Sequence, residues 1–208
     1  MSGDDRIALR HGAGGPAMRH LVESLFARGA TPRPGVVGLD ALDDGAAIQV
    51  GDRWLVFTTD SHVVAPPFFP GGDIGRLAVC GTVNDLAMMG VVEPLGLSLA
   101  VVLEEGFARE DLERIRDSIE AACAEAGTCI LTGDTKVMGR GELDGVVLNT
   151  AGLGFAERLV RDDGARAGDA ILVSGPIGDH GLSVLARRHG LEAGAALRSD
   201  VAPLNGLV

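Results

Sequence analysis

The chain has 208 residues and carries 29 acidic against 18 basic side chains, which gives a formal net charge of −11 at pH 7. This balance argues against nucleic acid as a partner, since no basic patch is long enough to follow a phosphate backbone. Its residues are 46% hydrophobic and 3% aromatic, as in a compact α/β protein. No apolar stretch reaches the roughly 18 residues of a membrane span, and residues 1–6 lack the apolar core of a signal peptide. We therefore expect a cytoplasmic protein that contacts no membrane.

A glycine-rich leader, His11-Gly12-Ala13-Gly14-Gly15, precedes a helix pattern that begins at Pro16. Proline suits the first turn of a helix, and glycines let the backbone approach a bound anion closely. The leader is not a Walker A loop, because no Gly-Lys-Ser/Thr follows, and it does not follow a strand as a dinucleotide-binding fingerprint does. Taken alone, a flexible leader is the better interpretation; with an acidic site nearby, it becomes a candidate phosphate contact.

Beyond the leader, apolar periodicity predicts strands and helices in alternation. Asp73 is a candidate N-cap for the first of these helices, and Gly127 is a natural stop for the second. The alternation favours an α/β sheet with helices on one face. The predicted elements are strands at 46–50 and 54–59 joined by a hairpin turn at 51–53, a helix at 74–89, a strand at 95–103, a helix at 109–126, and strands at 128–131 and 146–155.

Acidic residues occur at four places beside the ends of predicted elements or inside an otherwise apolar helix. Each alone is ordinary turn chemistry, since Asp-Gly and Gly-Asp pairs favour turns. Four together favour convergence on one site, and clustered carboxylates, which repel one another, are best tolerated around a cation. Mg²⁺ prefers oxygen ligands and shares them with phosphates. The four places are Asp43-Asp44, Asp60, Asn84-Asp85, and Asp134 with Lys136 in a predicted turn at 132–136.

The charged segment 158–168 has no periodicity and predicts a domain boundary. Residues 1–160 then form one domain, and residues 165–208 begin a second with a strand and turn at 170–176 and a helix at 180–190. So short a stretch rarely builds its own core, and 203–208 is an apolar run. We therefore expect the second domain to be cut short at Val208.

Three cysteines occur, with no CxxC pair. Cys80 and Cys123 fall on the apolar sides of helix patterns, and Cys129 begins a predicted strand. All three are expected to be buried thiols of low reactivity.

Three motifs carry a resemblance to a known family: HGAGG at 11–15, the long stretch from Thr58 to Gly90, and TGDTKV at 132–137. With them, essentially the whole chain resembles the HypE family of hydrogenase maturation factors, within the PurM-like (aminoimidazole ribotide synthetase-like) superfamily. The resemblance implies an α/β (α+β) fold. Its N-terminal domain would join that of a second copy to form a barrel across a homodimer.

The resemblance also implies an ATP site, with Mg²⁺ between the phosphates and the carboxylates. The glycine-rich leader would close over the phosphates, and Lys136 would be catalytic by steadying the phosphate or the activated group. The implied metal ligands are Asp44, Asp60, Asp85 and Asp134, and the implied nucleotide contacts are His11, Gly12, Gly14, Gly15, Asn84 and Thr135.

The reaction implied by the resemblance is an ATP-dependent dehydration. In that family HypF carbamoylates a cysteine at the extreme C-terminus, the carboxamide oxygen is phosphorylated, and loss of phosphate leaves a thiocyanate. The HypC–HypD complex would receive the cyanide for the iron of nickel–iron hydrogenase. No cysteine follows Cys129, so we expect this chain to lack the acceptor and not to complete the reaction on itself.

Two other kinds of function compete with this one. Other ATP enzymes of the superfamily share the acidic places. Selenophosphate synthetase would carry a reactive cysteine or selenocysteine in its leader, which is absent here, and thiamine-monophosphate kinase would not carry the HGAGG and PPFFPGGDIG strings. Alternatively, the chain is a non-catalytic dimerisation and docking module. Nucleotide binding with and without Mg²⁺ separates an enzyme core from such a module.

Overall fold

The computed structural model describes residues 6–191 and 197–208, and its central feature is a six-stranded sheet. Helices and strands have the following bounds: α1 Pro16–Leu21, β1 Val36–Val37, β2 Ala46–Val50, β3 Arg53–His62, β4 Phe68–Phe69, β5 Gly72–Asp73, α2 Ile74–Met88, β6 Pro94–Glu104, α3 Arg109–Ala126, β7 Ile130–Met138, β8 Val146–Ala156 and α4 Asp179–Arg188. The strand order is β1-β2-β3-β8-β6-β7, and β4 and β5 form a separate ribbon. All neighbouring strands in the large sheet are antiparallel except β6 and β7, which are parallel and are connected by α3.

The predicted hairpin and both predicted long helices are confirmed. Val50 pairs with Arg53, which leaves a two-residue turn whose Gly51 has φ 65°, a conformation that glycine adopts without strain. The carboxylate of Asp73 caps α2 by accepting from the backbone N–H groups of Gly75 at 2.7 Å and Arg76 at 3.0 Å. α3 ends at Gly127, which is left-handed with φ 69°.

The core lies between the sheet and the helices α2 and α3, which cover one face. We call this the helix face and the opposite one, which neither helix covers, the open face. Side chains on β8 alternate strictly between buried and partly exposed, as expected of a strand with only one covered face. The fold is therefore the α/β (α+β) arrangement that the sequence predicts. The core residues with no exposed surface include Ala47, Val56, Ile74, Ala78, Val79, Val83, Leu86, Leu97 and Leu148.

Two strands, β3 and β7, continue three or more residues beyond their predicted ends. β3 continues to His62, so Asp60 lies inside a strand rather than at its end. β7 runs from Ile130 to Met138, so the predicted turn at 132–136 is wrong. In both cases a neighbouring strand continues the ladder, β8 for β3 and β6 for β7. Hydrogen bonding to a neighbour overrides the local turn preference of Thr-Gly-Asp.

The segment after β8 differs from prediction in one respect. No strand forms at 170–176, where Ile171 and Leu172 are 91% and 92% exposed, because within the described residues no partner strand pairs with it. The predicted helix at 180–190 is confirmed as α4, which spans Asp179–Arg188. Segment 197–208 returns to α2, where Nε of Arg76 donates to the Val201 carbonyl at 3.1 Å. Among the described helices, none is long and apolar enough to span a membrane.

Candidate functional site

Three acidic residues from three elements approach one another around the hydroxyl of Thr58. This hydroxyl, on β3, donates to the backbone carbonyl of Asp44 at 2.8 Å, in the loop before β2. It also lies 3.2 Å from Oδ2 of Asp85 on α2. Asp60, two residues further along β3, points to the same face as Thr58 because side chains alternate along a strand. The structure therefore brings together three of the four predicted acidic places.

Burial and mutual repulsion both act on these carboxyl groups. Burial is the main cause that raises the pKa of Asp85 to about 7; the Thr58 hydrogen bond lowers it, and the charges of Asp60 and Asp44 raise it. The pKa of Asp44 is also raised, first by burial and then by neighbouring acidic side chains. A cation among these groups would favour their ionised forms and relieve the repulsion between them.

These acids do not form a complete metal cage. In the part of the chain that the structure describes, no three His, Cys, Asp or Glu side chains are grouped so that they could hold a metal ion. Mg²⁺ usually keeps several waters and binds through one or two carboxylates plus substrate phosphates. The arrangement therefore suits an ion that arrives with a phosphate better than one held by protein ligands alone.

A cavity of about 620 Å³ lies between the leader and strands β2 and β3. Gly14 and Gly15 line it from the leader, and Asp44 and Thr58 line it from the sheet. Gly14 has φ 73°, and a side chain added at either glycine would enter open space. The glycine-rich leader therefore lies beside one of the acidic places, Asp44, as expected for a phosphate contact.

The first part of the leader lies apart from this cavity. His11 and Gly12 belong to a short 3₁₀ turn and are not among the lining residues. Nδ1 of His11 accepts the backbone N–H of Ala8 at 2.9 Å. His11 therefore makes a local contact in this structure, and the nucleotide contacts of His11 and Gly12 stay predictions.

Asn84 binds the chain's own backbone. Its Nδ2 donates to the carbonyl of Ala202 at 3.0 Å, and its Oδ1 accepts the N–H of Leu204 at 2.7 Å. Both ends of the carboxamide are therefore engaged by segment 197–208. In this structure Asn84 anchors that segment, which differs from its predicted place beside a nucleotide.

Asp134 does not join the other three acids. Asp134 pairs with Ala100 on β6. Ala100 pairs with Asn149 on β8, and Asn149 pairs with Ser61 on β3. Residues in one such row point to one face, and Ser61 points away from its neighbour Asp60. Asp134 thus lies on the open face, and three strand spacings, on the order of 14 Å, separate it from β3, which carries Asp60. Within one chain, therefore, the structure does not bring Asp134 to the other three acids, and its place at the metal site stays a prediction.

Two other predicted residues share this edge strand. Nζ of Lys136 lies 3.5 Å from Oδ2 of Asp134, and both side chains are mostly exposed. Thr135 lies between them and faces the opposite way. Consequently Asp134 and Lys136 form a pair on the open face, remote from Asp44, Asp60 and Asp85.

Sequence reasoning missed a buried histidine beside the acids. His62 is 7% exposed, and its Nε2 lies 3.5 Å from Oδ2 of Asp60 and 3.5 Å from Oγ1 of Thr150. Burial lowers the pKa of His62, while the charge of Asp60 raises it. Thr58, Asp60 and His62 follow one another at a spacing of two, and this strand period was the signal that could have found them.

A larger groove, of about 940 Å³, lies between α3 and the strands β6 and β7. Its walls are mostly apolar and include none of the three clustered acids, so the smaller cavity is the better candidate site. Cys123 and Cys129 both line the groove; Cys123 is buried as predicted, but Cys129 is exposed. The prediction of a buried thiol at Cys129 is wrong because it precedes an edge strand with little cover.

Comparison with known proteins places this arrangement in a family. The model of the family described as AIR synthase related protein, N-terminal domain, matches residues 42–156. That range is more than half of the chain and includes Asp44, Asp60 and Asp85. The chain belongs to the AIR synthase related family. This membership confirms the predicted PurM-like fold of the N-terminal domain.

Relatives within this family confirm the resemblance to HypE. The carbamoyl dehydratase HypE of Rhizobium leguminosarum bv. viciae is 51% identical over 205 residues, which cover 98% of this chain and 57% of that protein. A crystal structure of a HypE–HypF complex has 46% identity and a TM-score of 0.79, covering 90% of this chain and 59% of that chain. A crystal structure of hydrogenase maturation protein HypE in complex with ATP has 46% identity and a TM-score of 0.71, covering 96% and 58%. The chain thus spans less than two thirds of the length of each of these proteins.

Proposed function

We propose that this chain is the nucleotide-binding part of a HypE-type carbamoyl dehydratase, an ATP-dependent enzyme of hydrogenase maturation. The observation that carries the proposal is the meeting of Asp44, Asp60 and Asp85 beside a cavity lined by Gly14 and Gly15. Relatives named carbamoyl dehydratase HypE, and a HypE structure with ATP, support the assignment.

The residues present fit a Mg²⁺-bound nucleotide. Asp44, Asp60 and Asp85 offer only oxygen donors, which Mg²⁺ prefers. Burial first, and then the charges of Asp60 and Asp44, raise the pKa of Asp85, and a bound cation would favour its ionised form. When bound, the ion supplies charge stabilisation to a transferring phosphoryl group. Gly14 and Gly15 leave room at the cavity wall for phosphate oxygens, because neither has a side chain.

The chemistry that we propose is the dehydration of a cysteine S-carboxamide to a thiocyanate, with ATP converted to ADP and phosphate. An amide oxygen leaves poorly until it is phosphorylated. The protein must therefore orient the two reactants and stabilise the negative charge of the phosphate. Asp44, Asp60 and Asp85 would meet this demand by fixing the metal-bound phosphates at one side of the cavity. The acceptor cysteine would belong to the part of such a protein that follows this chain.

The proposed assembly uses the open face. Leu131 on β7 and Ile48 on β2 are 59% and 51% exposed, and uncovered sheet faces and edge strands are normally paired or covered. We propose that a second copy covers this face to form a homodimer. Asp134, Thr135 and Lys136 lie on the edge strand, so their predicted roles in metal binding, nucleotide contact and catalysis would depend on what a second copy brings to them.

Other partners follow from the relatives. A HypE–HypF complex structure supports HypF as the carbamoyl donor, and the HypC–HypD complex is the proposed cyanide acceptor. A cytoplasmic location fits the use of ATP and the three free cysteines.

Calorimetry of ATP binding with and without Mg²⁺ tests the proposal. We expect affinity for ATP to rise strongly with Mg²⁺, since the carboxylates repel a bare triphosphate and attract the cation. If the chain binds HypF but shows no Mg²⁺-dependent binding of ATP, it is a docking module instead.

A further inference from the structure

An ion pair next to the three acids joins the site to the segment after β8. The side chain of Asp43 is only 2% exposed, and its Oδ2 contacts Nε of Arg161, whose side chain is 33% exposed. The backbone N–H of Asp162 donates to the other oxygen, Oδ1, at 3.2 Å. Both carboxylate oxygens of Asp43 are therefore engaged by residues 161 and 162, so Asp43 holds the chain rather than a ligand.

The segment that carries Arg161 is itself fixed against the end of α2. The N–H of Val160 donates to the carbonyl of Met89 at 3.3 Å, and Leu159 packs against the core cluster that contains Leu86. Gly90 has φ 94°, and a Cβ added there would lie 2.4 Å from the carbonyl oxygen of Arg158. Because α2 also carries Asp85, the segment shares a rigid support with one of the three acids.

We propose that Arg161 is a positioning residue for the metal and nucleotide site. Through Asp43 it holds the 43–44 turn, so that the carbonyl of Asp44 meets the Thr58 hydroxyl and the Asp44 carboxylate stays beside Asp85. A buried carboxylate left without its cation must move or become hydrated, and either change would displace its neighbour Asp44. This inference rests on the proposed role of Asp44 in holding the Mg²⁺-bound nucleotide.

The first test needs no nucleotide. Amide NMR spectra of Arg161→Met are compared with those of Arg158→Met, which removes the same charge three residues earlier. Arg158 is exposed and makes no ion pair within the described residues. We expect Arg161→Met to shift the amide signals of Asp44, Gly45 and Thr58, and Arg158→Met to leave them in place. Equal shifts in both variants, or none in either, would overturn the proposal.

The second test measures how much Mg²⁺ is needed for half-maximal ATP binding. Loss of a group that orients a metal ligand typically weakens metal binding about 10-fold or more, and we expect this for Arg161→Met, with partial recovery in Arg161→Lys. If Arg161→Met folds poorly, Asp43→Asn serves in its place. A fall in melting temperature without any change in Mg²⁺ requirement would show a purely structural ion pair and overturn the proposal. Should the unaltered chain bind no ATP, the proposed function fails, and the amide spectra still decide the role of Arg161.

Discussion

The helix face and the open face of the sheet carry similar acidic motifs in different surroundings. On the helix face, the side chain of Asp60 is 45% exposed, buried His62 lies 3.5 Å away, and the carboxyl of Asp85 is close to the same strand. On the open face, Asp134 is mostly exposed and paired with Lys136. Both acids follow an apolar run and precede polar residues in sequence. The comparison shows that strand register, more than the local motif, decides which carboxylates can share a cation.

The largest expected difference between the two faces is in how much a substitution lowers the free energy of unfolding. Leu148 and Leu153 both lie on β8, but Leu148 is fully buried on the helix face and Leu153 is partly exposed on the open face. Leu148→Ala should lower the free energy of unfolding by about 2–5 kcal/mol, through lost burial and a cavity. Leu153→Ala should cost about 1 kcal/mol or less. Urea denaturation of both variants, under conditions in which the chain is monomeric, checks this, and similar losses there would mean that the two faces of one chain are covered alike.

Self-association should depend on the open face. Ala151 lies on this face of β8, where Ala151→Glu would introduce a charge on both sides of a symmetric dimer interface. We expect light scattering to report a dimer for the unaltered chain and a monomer for this variant. Ala124→Glu, on the exposed side of α3, is the matched control and should remain dimeric. A monomeric unaltered chain at micromolar concentration would refute the proposed homodimer.

The acids of the helix face should make stability depend on pH. The pKa of Asp85 is raised from 3.8 to about 7 in the folded chain, so between these values the folded state binds more protons than the unfolded state. Without metal, the contribution of Asp85 to stability therefore falls as pH rises from about 4 to 7. Asp85→Asn should flatten this dependence, as should saturating Mg²⁺ with ATP. Melting curves across that range provide the measurement, and an unchanged slope in Asp85→Asn would contradict the assigned burial.

Local features of the sequence were enough to predict the helices and the first hairpin. The bounds of α3 were predicted exactly as found and α2 to within one residue, because each has an apolar stripe and a recognisable cap, Asp73 for α2 and Gly127 for α3. The convergence of Asp44, Asp60 and Asp85 was also predicted, from carboxylates that ordinary core packing does not explain.

Features that depend on distant residues were not predictable. The length of β7 depends on pairing with β6, and the face of Asp134 depends on the order of strands that are far apart in sequence. The hydrogen bond of Asn84 to Ala202 could not be predicted, because Ala202 lies 118 positions further along the chain. The ion pair of Asp43 with Arg161 was missed for the same reason.

The most direct test of the account compares Asp60→Asn with Asp134→Asn in Mg²⁺-dependent ATP binding. Calorimetry is done in the Ala151→Glu background, so that a second copy cannot bring Asp134 to the site. We expect Asp60→Asn to weaken binding about 10-fold or more, as loss of a metal-supporting group does. Asp134→Asn should change it by about twofold at most, as expected for a distant and independent site. Unchanged affinity in Asp60→Asn, or an equal loss in Asp134→Asn, would contradict a site built from Asp44, Asp60 and Asp85.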